Sequence, residues 1–410
     1  MSALRPAAGL ASVSAAQWRT LAAAMLGWML DAMDVMFYAF ALTAIRAEFS
    51  LSAATAGGLA SVTLLTSAIG GIGFGVLADR IGRARALMWS ILLYSVFTAL
   101  TATAHSLAEL VLWRSLVGIG LGGEWAAGSV LVSESWPPEH RGKAIGLMQS
   151  GWAIGYIFAA LLASAILPGH GWRVLFAIGV APALLAWWVR RRVEEPQIWR
   201  RARRGQRLPF RAVFRPPLLR NVLVATSLTS CLLFAYWGLF TWIPAYLASP
   251  VTSGGAGMGI VRSAGWIVPM QVGAFFGYVL FGVLADRFGR RPVFMTFVFA
   301  AAVLVPLYGQ LGARPAALMA LGPLIGFFGH GYFSLFGAML AELFPSSVRA
   351  TAQGFCYNFG RAASALAPFV IGAIADRHGI GSALALTSAF FVAAGFLILL
   401  LPETRGEALR

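Results

Sequence analysis

The sequence predicts an all-α membrane protein in which twelve transmembrane helices form two six-helix pseudo-repeats around a central cavity. Three observations predict this fold: 59% of the 410 residues are hydrophobic, they come in long blocks, and two motifs repeat at nearly one offset. Only 11% of the residues are charged, and the mean hydropathy is +0.77. A block of about 20 apolar residues is long enough for a helix to cross the hydrocarbon core of a bilayer.

The apolar blocks define twelve spans. They should be helices, because backbone polar groups in lipid are satisfied within one segment or in a closed barrel, and the alternating pattern of a barrel is missing. The first span is too long and too polar at its centre for a signal peptide, so we expect it to remain in the mature protein. In chain order the spans are 19–46, 56–78, 86–104, 108–134, 144–167, 172–190, 221–247, 264–285, 293–311, 316–342, 351–375 and 381–401.

The net charge of +16 is distributed by topology. With the N-terminus in the cytoplasm, 24 of the 31 Lys and Arg residues fall on the cytoplasmic side and five on the other. This positive-inside asymmetry predicts a multi-pass protein of the inner (cytoplasmic) membrane with both termini in the cytoplasm. It also argues against nucleic acid as a partner, since the basic residues are explained by orientation.

The chain divides into two bundles. We expect an N-terminal six-helix bundle at 1–190, a cytoplasmic linker at 191–220 and a C-terminal six-helix bundle at 221–410. The linker region is rich in arginine, so part of it could lie as a basic helix on anionic lipid headgroups. The alternative is a charged topological determinant that only joins the two bundles.

The halves repeat each other. "GVLADRIGRAR" at 75–85 returns as "GVLADRFGRRP" at 282–292, and "ESWPPEHRG" at 134–142 returns as "ELFPSSVRA" at 342–350. Two matches at offsets of 207 and 208 indicate a duplication. Parallel six-helix repeats around a midplane site are typical of alternating-access carriers.

These motifs resemble those of a known family. "GVLADRIGRAR" and its copy are similar to the loop 2/3 signature of the major facilitator superfamily, and "PETRG" at 402–406 is similar to a common C-terminal ending. Arg114 followed by Gly118, Gly120 and Gly122 resembles the family's fourth-helix motif. Residues 118–156 most resemble the sialate:proton symporters and related carboxylate transporters, including lactate permeases. The resemblance implies proton-coupled transport of a carboxylate.

The repeated loops predict a gate. Each copy places an acid at the end of a helix and arginines a few residues later, and such charge-assisted contacts could lock one conformation and break in another. An acid and an arginine seven residues apart follow in each half and could complete the latch. The alternative is that these charges only anchor topology. The candidates are Asp79, Arg80, Arg83, Asp286, Arg287, Arg290, Glu134, Arg141, Glu342 and Arg349.

Two carboxylates interrupt the first span in "GWMLDAMDVMFYAF" at 27–40. Asp31 and Asp34 are three residues apart and Tyr38 continues their helical face, so we expect this stripe to face a water-filled cavity. Two such close, partly desolvated acids cannot both ionise cheaply, so one should hold a proton near neutral pH. The stripe therefore predicts proton coupling. The alternative is an acid that caps a broken helix or pairs with an arginine for stability.

The fourth span carries a third acid. Glu124 follows a GxxxG face formed by Gly118 and Gly122, which is suited to close helix packing. The sequence "GGE" at 122–124 resembles an element of proton symporters, which implies that Glu124 is a proton or substrate site. The alternative is a salt bridge to Arg114. For Arg114 we expect a structural role together with tuning of the neighbouring acids.

The eleventh span carries a buried arginine. Arg361 lies near its centre, and Tyr357, Asn358 and Ser364 share its helical face. The matching position of the fifth span is Ala153, so the duplication does not account for the arginine. A guanidinium presents a planar fork that fits a carboxylate through two hydrogen bonds, which predicts an anionic substrate. The alternative is a permanent ion pair with Asp31, Asp34 or Glu124.

Further substrate contacts are predicted on the fifth span, where Gln149, Trp152 and Tyr156 fall on one face, and at Tyr38 on the first. We expect a proton-coupled symporter that imports a small organic anion, either a monocarboxylate or an acidic sugar. It should need no cofactor besides the proton and no metal, catalyse no reaction, contact membrane lipids and work as a monomer. A proton-driven exporter remains the alternative; a transporter-like sensor is less favoured because only nine residues follow Leu401.

Overall fold

The chain is a bundle of membrane-spanning helices, as predicted. The computed structural model describes residues 13–136, 138–195, 214–216, 218–312, 314–344 and 349–404, and within these residues every regular element is a helix. Most of the predicted linker, residues 196–213, lies outside the described residues. The first four spans are Ala15–Phe49, Ala53–Ile81, Arg83–Thr101 and Leu107–Ser135.

The fifth and sixth spans run together. Pro138–Ala177 contains the fifth span and the start of the sixth, which are separated at Gly171, whose φ of +75° favours glycine. The sixth span continues through Pro182–Arg192. Eleven apolar stretches of the described chain are long enough to cross a membrane, and one of them, Ala144–Val189, holds both of these spans. The prediction of twelve spans is thereby confirmed.

Four spans of the second half are interrupted helices. The seventh consists of Leu218–Phe240 and Ile243–Ala248, the tenth of Pro315–Gly331 and Phe333–Leu343, the eleventh of Arg349–Ser364 and Leu366–His378, and the twelfth of Ile380–Leu384 and Leu386–Leu397. The eighth and ninth, Gly259–Phe288 and Arg290–Gln310, are continuous. Sequence periodicity did not predict these breaks.

Proline explains two of the breaks. Proline cannot donate to the carbonyl four residues earlier and its ring clashes with that carbonyl. In the eleventh span, Pro368 therefore leaves the Ser364 carbonyl without its helical partner, at the residue where Arg349–Ser364 ends. In the seventh span, Pro244 likewise leaves the Phe240 carbonyl without its helical partner. This carbonyl instead accepts a hydrogen bond from the Tyr156 hydroxyl at 3.2 Å. That bond joins the two halves.

In each half, the repeated loop motif ends the second span in the same way. Gly82 and Gly289 have φ of +117° and +102°, and their N–H groups donate to the carbonyls of Ala78 and Ala285. The following helix starts at once, so the glycine supports a tight turn that a side chain would strain.

A carboxylate from the end of each repeat binds the start of the helix after this turn. Glu195 accepts backbone hydrogen bonds from Arg83 at 2.6 Å and from Arg85 at 3.1 Å. Glu403 accepts equivalent bonds from Arg290 at 2.9 Å and Arg291 at 3.0 Å. An acid at a helix N-terminus satisfies unpaired N–H groups and is favoured by the helix dipole. The duplication thus extends to the non-helical residues that follow the last helix of each half.

Small residues set the spacing between the second and fourth spans. Gly118 lies against the Thr63 carbonyl and Gly122 against the Ser67 carbonyl, so the predicted GxxxG face does pack a neighbouring helix. The backbones of the two helices are in contact where the helices cross, which holds the fourth span close to the central cavity.

Gly122→Ala should destabilise the N-terminal half by about 1–3 kcal/mol, since the added methyl group would overlap the Ser67 carbonyl. Thermal unfolding of the purified protein in detergent, followed by intrinsic fluorescence, measures the effect. Gly73→Ala is the matched control, because nothing lies within 4 Å of a methyl group there. Equal melting temperatures for the two variants would contradict this packing argument.

Candidate substrate and proton site

A cavity lies between the two halves at mid-depth. Its wall is formed by the first, second, fourth, fifth, seventh and eleventh spans, and its volume is about 30 Å³. A water needs roughly 10–15 Å³ by this measure, so the cavity has room for about two or three waters. The lining residues are Asp31, Val35, Met36, Tyr38, Ala39, Ala60, Thr63, Leu64, Ser67, Arg114, Leu121, Trp152, Trp237, Thr241 and Arg361.

Arg361 reaches this cavity from the eleventh span. It is 4% exposed, and its guanidinium lies 5.2 Å from the centre of the Tyr357 ring. It sits in the last turn of Arg349–Ser364, where the helix dipole favours a cation. Its Nε has no hydrogen-bond partner among the described residues, and no carboxylate within that part of the chain approaches to 4.0 Å. The guanidinium is thus buried without a fixed counter-ion among the residues that the structure describes.

Asp31 lies on the same cavity wall. It is 2% exposed, and Arg361 is the cation that acts on it electrostatically. Among the residues that the structure describes, Asp31 has neither a hydrogen bond nor an ion pair within 4.0 Å. A buried acid and a buried base therefore face one space without closing a salt bridge.

Asp34 is placed differently from Asp31. Its carboxylate accepts a hydrogen bond from the Thr98 hydroxyl of the third span and lies 3.6 Å from an amino group of Arg114. Both charged side chains of this pair are almost completely buried. Arg114 also packs over the rings of Tyr38 and Phe176 at 5.3 and 5.9 Å. Asp34 thus ties the first span to the third and fourth and lies outside the cavity wall.

Glu124 lies behind the cavity within the N-terminal half. It is fully buried, and both carboxylate oxygens lack a hydrogen-bond partner in the described chain. It packs against Gly27 of the first span, and both Asp31 and Arg361 act on it electrostatically. The alternative pairing of Glu124 with Arg114 is not formed, since Arg114 contacts Asp34.

Three aromatic side chains, Tyr38, Trp152 and Trp237, contribute to the cavity wall. The Trp152 ring lies 4.7 Å from Trp28 and 5.9 Å from Trp237, between the first and seventh spans. Tyr38 turns its hydroxyl to the Ala56 carbonyl at 2.6 Å. Trp152 and Tyr38, two of the predicted substrate contacts, therefore lie on the cavity wall, while the Tyr156 hydroxyl donates to the seventh span. The wall thus offers flat apolar surface beside two guanidiniums, that of Arg361 and that of Arg114, which is paired with Asp34.

Other predicted contacts lie between the cavity and the side that carries the loops 2/3 and 8/9, here called the basic side. Tyr357 stacks on Trp125 with ring centres 4.1 Å apart, which joins the two halves. The Trp125 indole donates to the Gln149 side chain at 3.2 Å. The Asn358 amide donates to the Gly354 carbonyl at 3.0 Å. These residues narrow the route from the cavity to the basic side.

Asp376 joins the two halves on the opposite side. Its two carboxylate oxygens accept hydrogen bonds from the backbone N–H groups of Ala53 and Ala54, each at 2.9 Å, at the start of the second span. Close approach is possible because Gly57 and Gly372 face the carbonyls of Pro368 and Ala53.

Asp376 was not among the residues predicted from the sequence, although its motif is visible there. "ADRHG" at 375–379 is a third copy of the pattern found in "ADRIG" and "ADRFG". Gly379 again has a positive φ, +80°, and its N–H donates to the Ala375 carbonyl.

The gating candidates are described only in part. Arg83 forms an ion pair with Glu134 at 3.3 Å, within the N-terminal half. Arg80 and Arg287 are exposed, and Arg287 packs over the Phe288 ring at 5.3 Å. The side chains of Asp79, Asp286, Arg141, Glu342 and Arg349 lie outside the described part.

Known proteins resemble this chain over nearly its whole length. The sequence model of the Major Facilitator Superfamily matches residues 24–270 and 255–410. A probable 4-methylmuconolactone transporter of Cupriavidus pinatubonensis is 36% identical, over 96% of this chain and 92% of the relative. The sialic acid transporter NanX of Escherichia coli is 31% identical, over 95% of this chain and 94% of the relative.

A solved structure has the same fold. The partially occluded, inward-open form of the xylose transporter XylE from E. coli superimposes with a TM-score of 0.74 at 19% identity. The match covers 97% of this chain and all of that one.

Proposed function

Because the chain belongs to the Major Facilitator Superfamily, we propose that it couples proton movement to the uptake of a small organic anion by alternating access. One observation carries the proposal: Arg361 and Asp31 face the same cavity, both are buried, and no salt bridge joins them. Charged groups at membrane depth are costly, and they mark substrate or proton pathways.

Arg361 is proposed to bind the carboxylate of the substrate. A guanidinium can donate two parallel hydrogen bonds to a carboxylate, and the resulting ion pair offsets the cost of burying each charge. Its Nε lacks a partner among the described residues, so a donor is available to the substrate.

Asp31 is proposed to bind the proton. When Asp31 is ionised, it attracts Arg361 and competes with an incoming carboxylate. When Asp31 is protonated, Arg361 is the unneutralised charge of the cavity and favours the anion. Proton and anion therefore load together, and protonated Asp31, Arg361 and the bound carboxylate then carry no net charge, which lowers the cost of reorientation in lipid.

The other two acids take separate parts in this proposal. Asp34 is held by Thr98 and Arg114, so its first effect is to fix the first span and to keep Arg114 neutralised. Both Asp31 and Arg361 act electrostatically on Glu124, which is proposed to exchange protons with Asp31 during the cycle. In this proposal Glu124 and Asp31 exchange the proton, and Asp34 acts through the position of the first span.

The cavity wall favours an acid with a flat apolar body. Trp152, Trp237 and Leu121 supply apolar surface. The uncharged polar groups of the lining, apart from Tyr38, are the hydroxyls of Thr63, Ser67 and Thr241 and the indole N–H groups of the two tryptophans, which have no hydrogen-bond partner among the described residues. An acidic sugar would bring several hydroxyls whose hydrogen bonds with water must be replaced, and unmatched polar groups are costly. We therefore propose an aromatic or unsaturated carboxylate, in keeping with a relative named for 4-methylmuconolactone.

The substrate requires the cavity to widen, because about 30 Å³ does not admit an organic acid. We propose that the Asp376 contact closes the opposite side in this form and opens when the halves rock. In this proposal the basic side faces the cytoplasm of the inner membrane, following the distribution of arginine.

Asp376→Ala should weaken closure of the opposite side, since two charge-assisted hydrogen bonds between the halves are lost. With Cys231 and Cys356 replaced by alanine and Ala60→Cys as the reporter, we expect an impermeant maleimide added on that side to react roughly fivefold faster or more. Arg377→Ala, at the neighbouring position, is the matched control. Unchanged reactivity in Asp376→Ala, or an equal rise in the control, would contradict the latch.

Counterflow in proteoliposomes tests the proposed function. Vesicles loaded with an unlabelled acid should take up the same labelled acid, and we expect benzoate- or muconate-like acids to support exchange better than sialic acid. Accumulation toward an alkaline lumen marks import, and extrusion toward an acidic compartment marks a proton-driven exporter. Exchange of uncharged solutes in preference to all acids would contradict the anion assignment.

A further inference from the structure

A second cavity lies at the membrane edge of the basic side, away from the central site. It has a volume of about 300 Å³ and is lined by Arg19, Trp187, Trp188, Arg191 and Arg192. Arg19 lies near the start of the first span, and the other four residues lie in the last two turns of Pro182–Arg192. These two helices pack against each other, so the cavity is a cleft between the start of the first span and the end of the sixth.

Within the described chain, no carboxylate neutralises the arginines of this cleft. Arg19, Arg191 and Arg192 are exposed, and none of them has a carboxylate within 4.0 Å in the part of the chain that is described. The nearby acid Glu194 forms no ion pair with them, and Glu195 is bound to the backbone of the third span. Three like charges around one cleft repel each other, which an anion would relieve.

The helical face below the arginines is apolar. Leu184 is 75% exposed and Trp187 is 58% exposed, and both point away from the bundle. Leu184, Trp187 and Arg191 are spaced at i, i+3 and i+7, so they form one stripe along the helix. Arg191 also lies 4.2 Å from the centre of the Trp187 ring. From mid-membrane to surface the stripe is therefore aliphatic, aromatic and cationic.

We propose that this cleft binds an anionic phospholipid, with the phosphate between Arg19 and the arginines at 191 and 192. A free phosphate would contact the arginines alone. A phospholipid matches the whole stripe, because its acyl chain can lie along Leu184 and Trp187 while its phosphate meets the guanidiniums. Basic clefts between transmembrane helices bind lipid headgroups in this way.

Native mass spectrometry of the detergent-solubilised full chain tests the proposal. Dioleoylphosphatidylglycerol is titrated against dioleoylphosphatidylcholine, which has the same chains and no net charge. Arg191→Gln with Arg192→Gln removes two charges of the cleft, and Arg215→Gln with Arg220→Gln removes two from the same side outside it. Inorganic phosphate is added as a competitor to separate a headgroup site from a free-anion site.

We expect wild type to retain one phosphatidylglycerol in preference to phosphatidylcholine, and the 191/192 variant to bind it roughly thirtyfold more weakly. The 215/220 variant should bind like wild type, and millimolar phosphate should not displace the lipid. Equal loss in both double variants, equal binding of the two lipids, or full displacement by phosphate would each overturn the proposal. A melting temperature within the wild-type range shows that the 191/192 variant is folded.

Discussion

Arg361→Ala is expected to abolish uptake and to weaken binding of the carboxylate substrate by at least roughly thirtyfold. The reason is that truncating one partner of a buried, hydrogen-bonded ion pair costs about 2–5 kcal/mol. Arg361 lines the cavity and has no counter-ion among the described residues, so its loss should leave the rest of the fold intact. Binding is measured by scintillation proximity and uptake in proteoliposomes.

Arg361→Lys is the matched control. It keeps the charge but replaces the planar fork by a point charge, so we expect binding between that of wild type and the alanine variant. Both variants should melt close to wild type. Transport by Arg361→Ala at the wild-type rate would remove Arg361 from the substrate site, and a large fall in its melting temperature would favour a structural role instead.

Asp31→Asn is expected to lose accumulation driven by a pH gradient while it retains exchange. Asparagine resembles a permanently protonated aspartate, so Arg361 stays available to the anion but no proton can leave. Binding of the substrate should become independent of pH in this variant. Accumulation toward an alkaline lumen and counterflow are compared in the same batch of proteoliposomes.

Asp34→Asn separates coupling from stability. Asp34 is paired with Arg114 and bonded to Thr98, so its loss leaves a buried arginine without its partner, which costs about 3–5 kcal/mol. A melting temperature that falls in Asp34→Asn but not in Asp31→Asn would agree with a structural role for Asp34 and a coupling role for Asp31.

Normal pH-driven accumulation by Asp31→Asn would remove Asp31 from coupling.

Much of the fold follows from composition and repetition. Blocks of apolar residues and two offsets near 207 predict twelve spans in two halves, because a bilayer demands helices and a duplication demands symmetry. The proline breaks were readable in principle from Pro244 and Pro368. They were missed because transmembrane helices often tolerate proline without a break.

The site was less predictable because contacts between spans decide it. Residues three apart share a broad helical face, and neither periodicity nor spacing shows that Thr98 of the third span turns Asp34 away from Asp31. Likewise, Asp376 and Ala53 meet only after both halves are assembled. The charge of Arg361 predicted that its side chain faces a cavity inside the protein, because a guanidinium that faces lipid would be too costly.

The central claim is that Asp31 and Arg361 load a proton and a carboxylate into one cavity. The most direct test is the pH inside proteoliposomes, reported by a trapped dye, when the substrate acid is added outside at constant external pH. The account predicts rapid acidification of the lumen by wild type beyond that of protein-free vesicles, and none beyond that level by Asp31→Asn or Arg361→Ala. Substrate entry through the wild-type protein without acidification would contradict it.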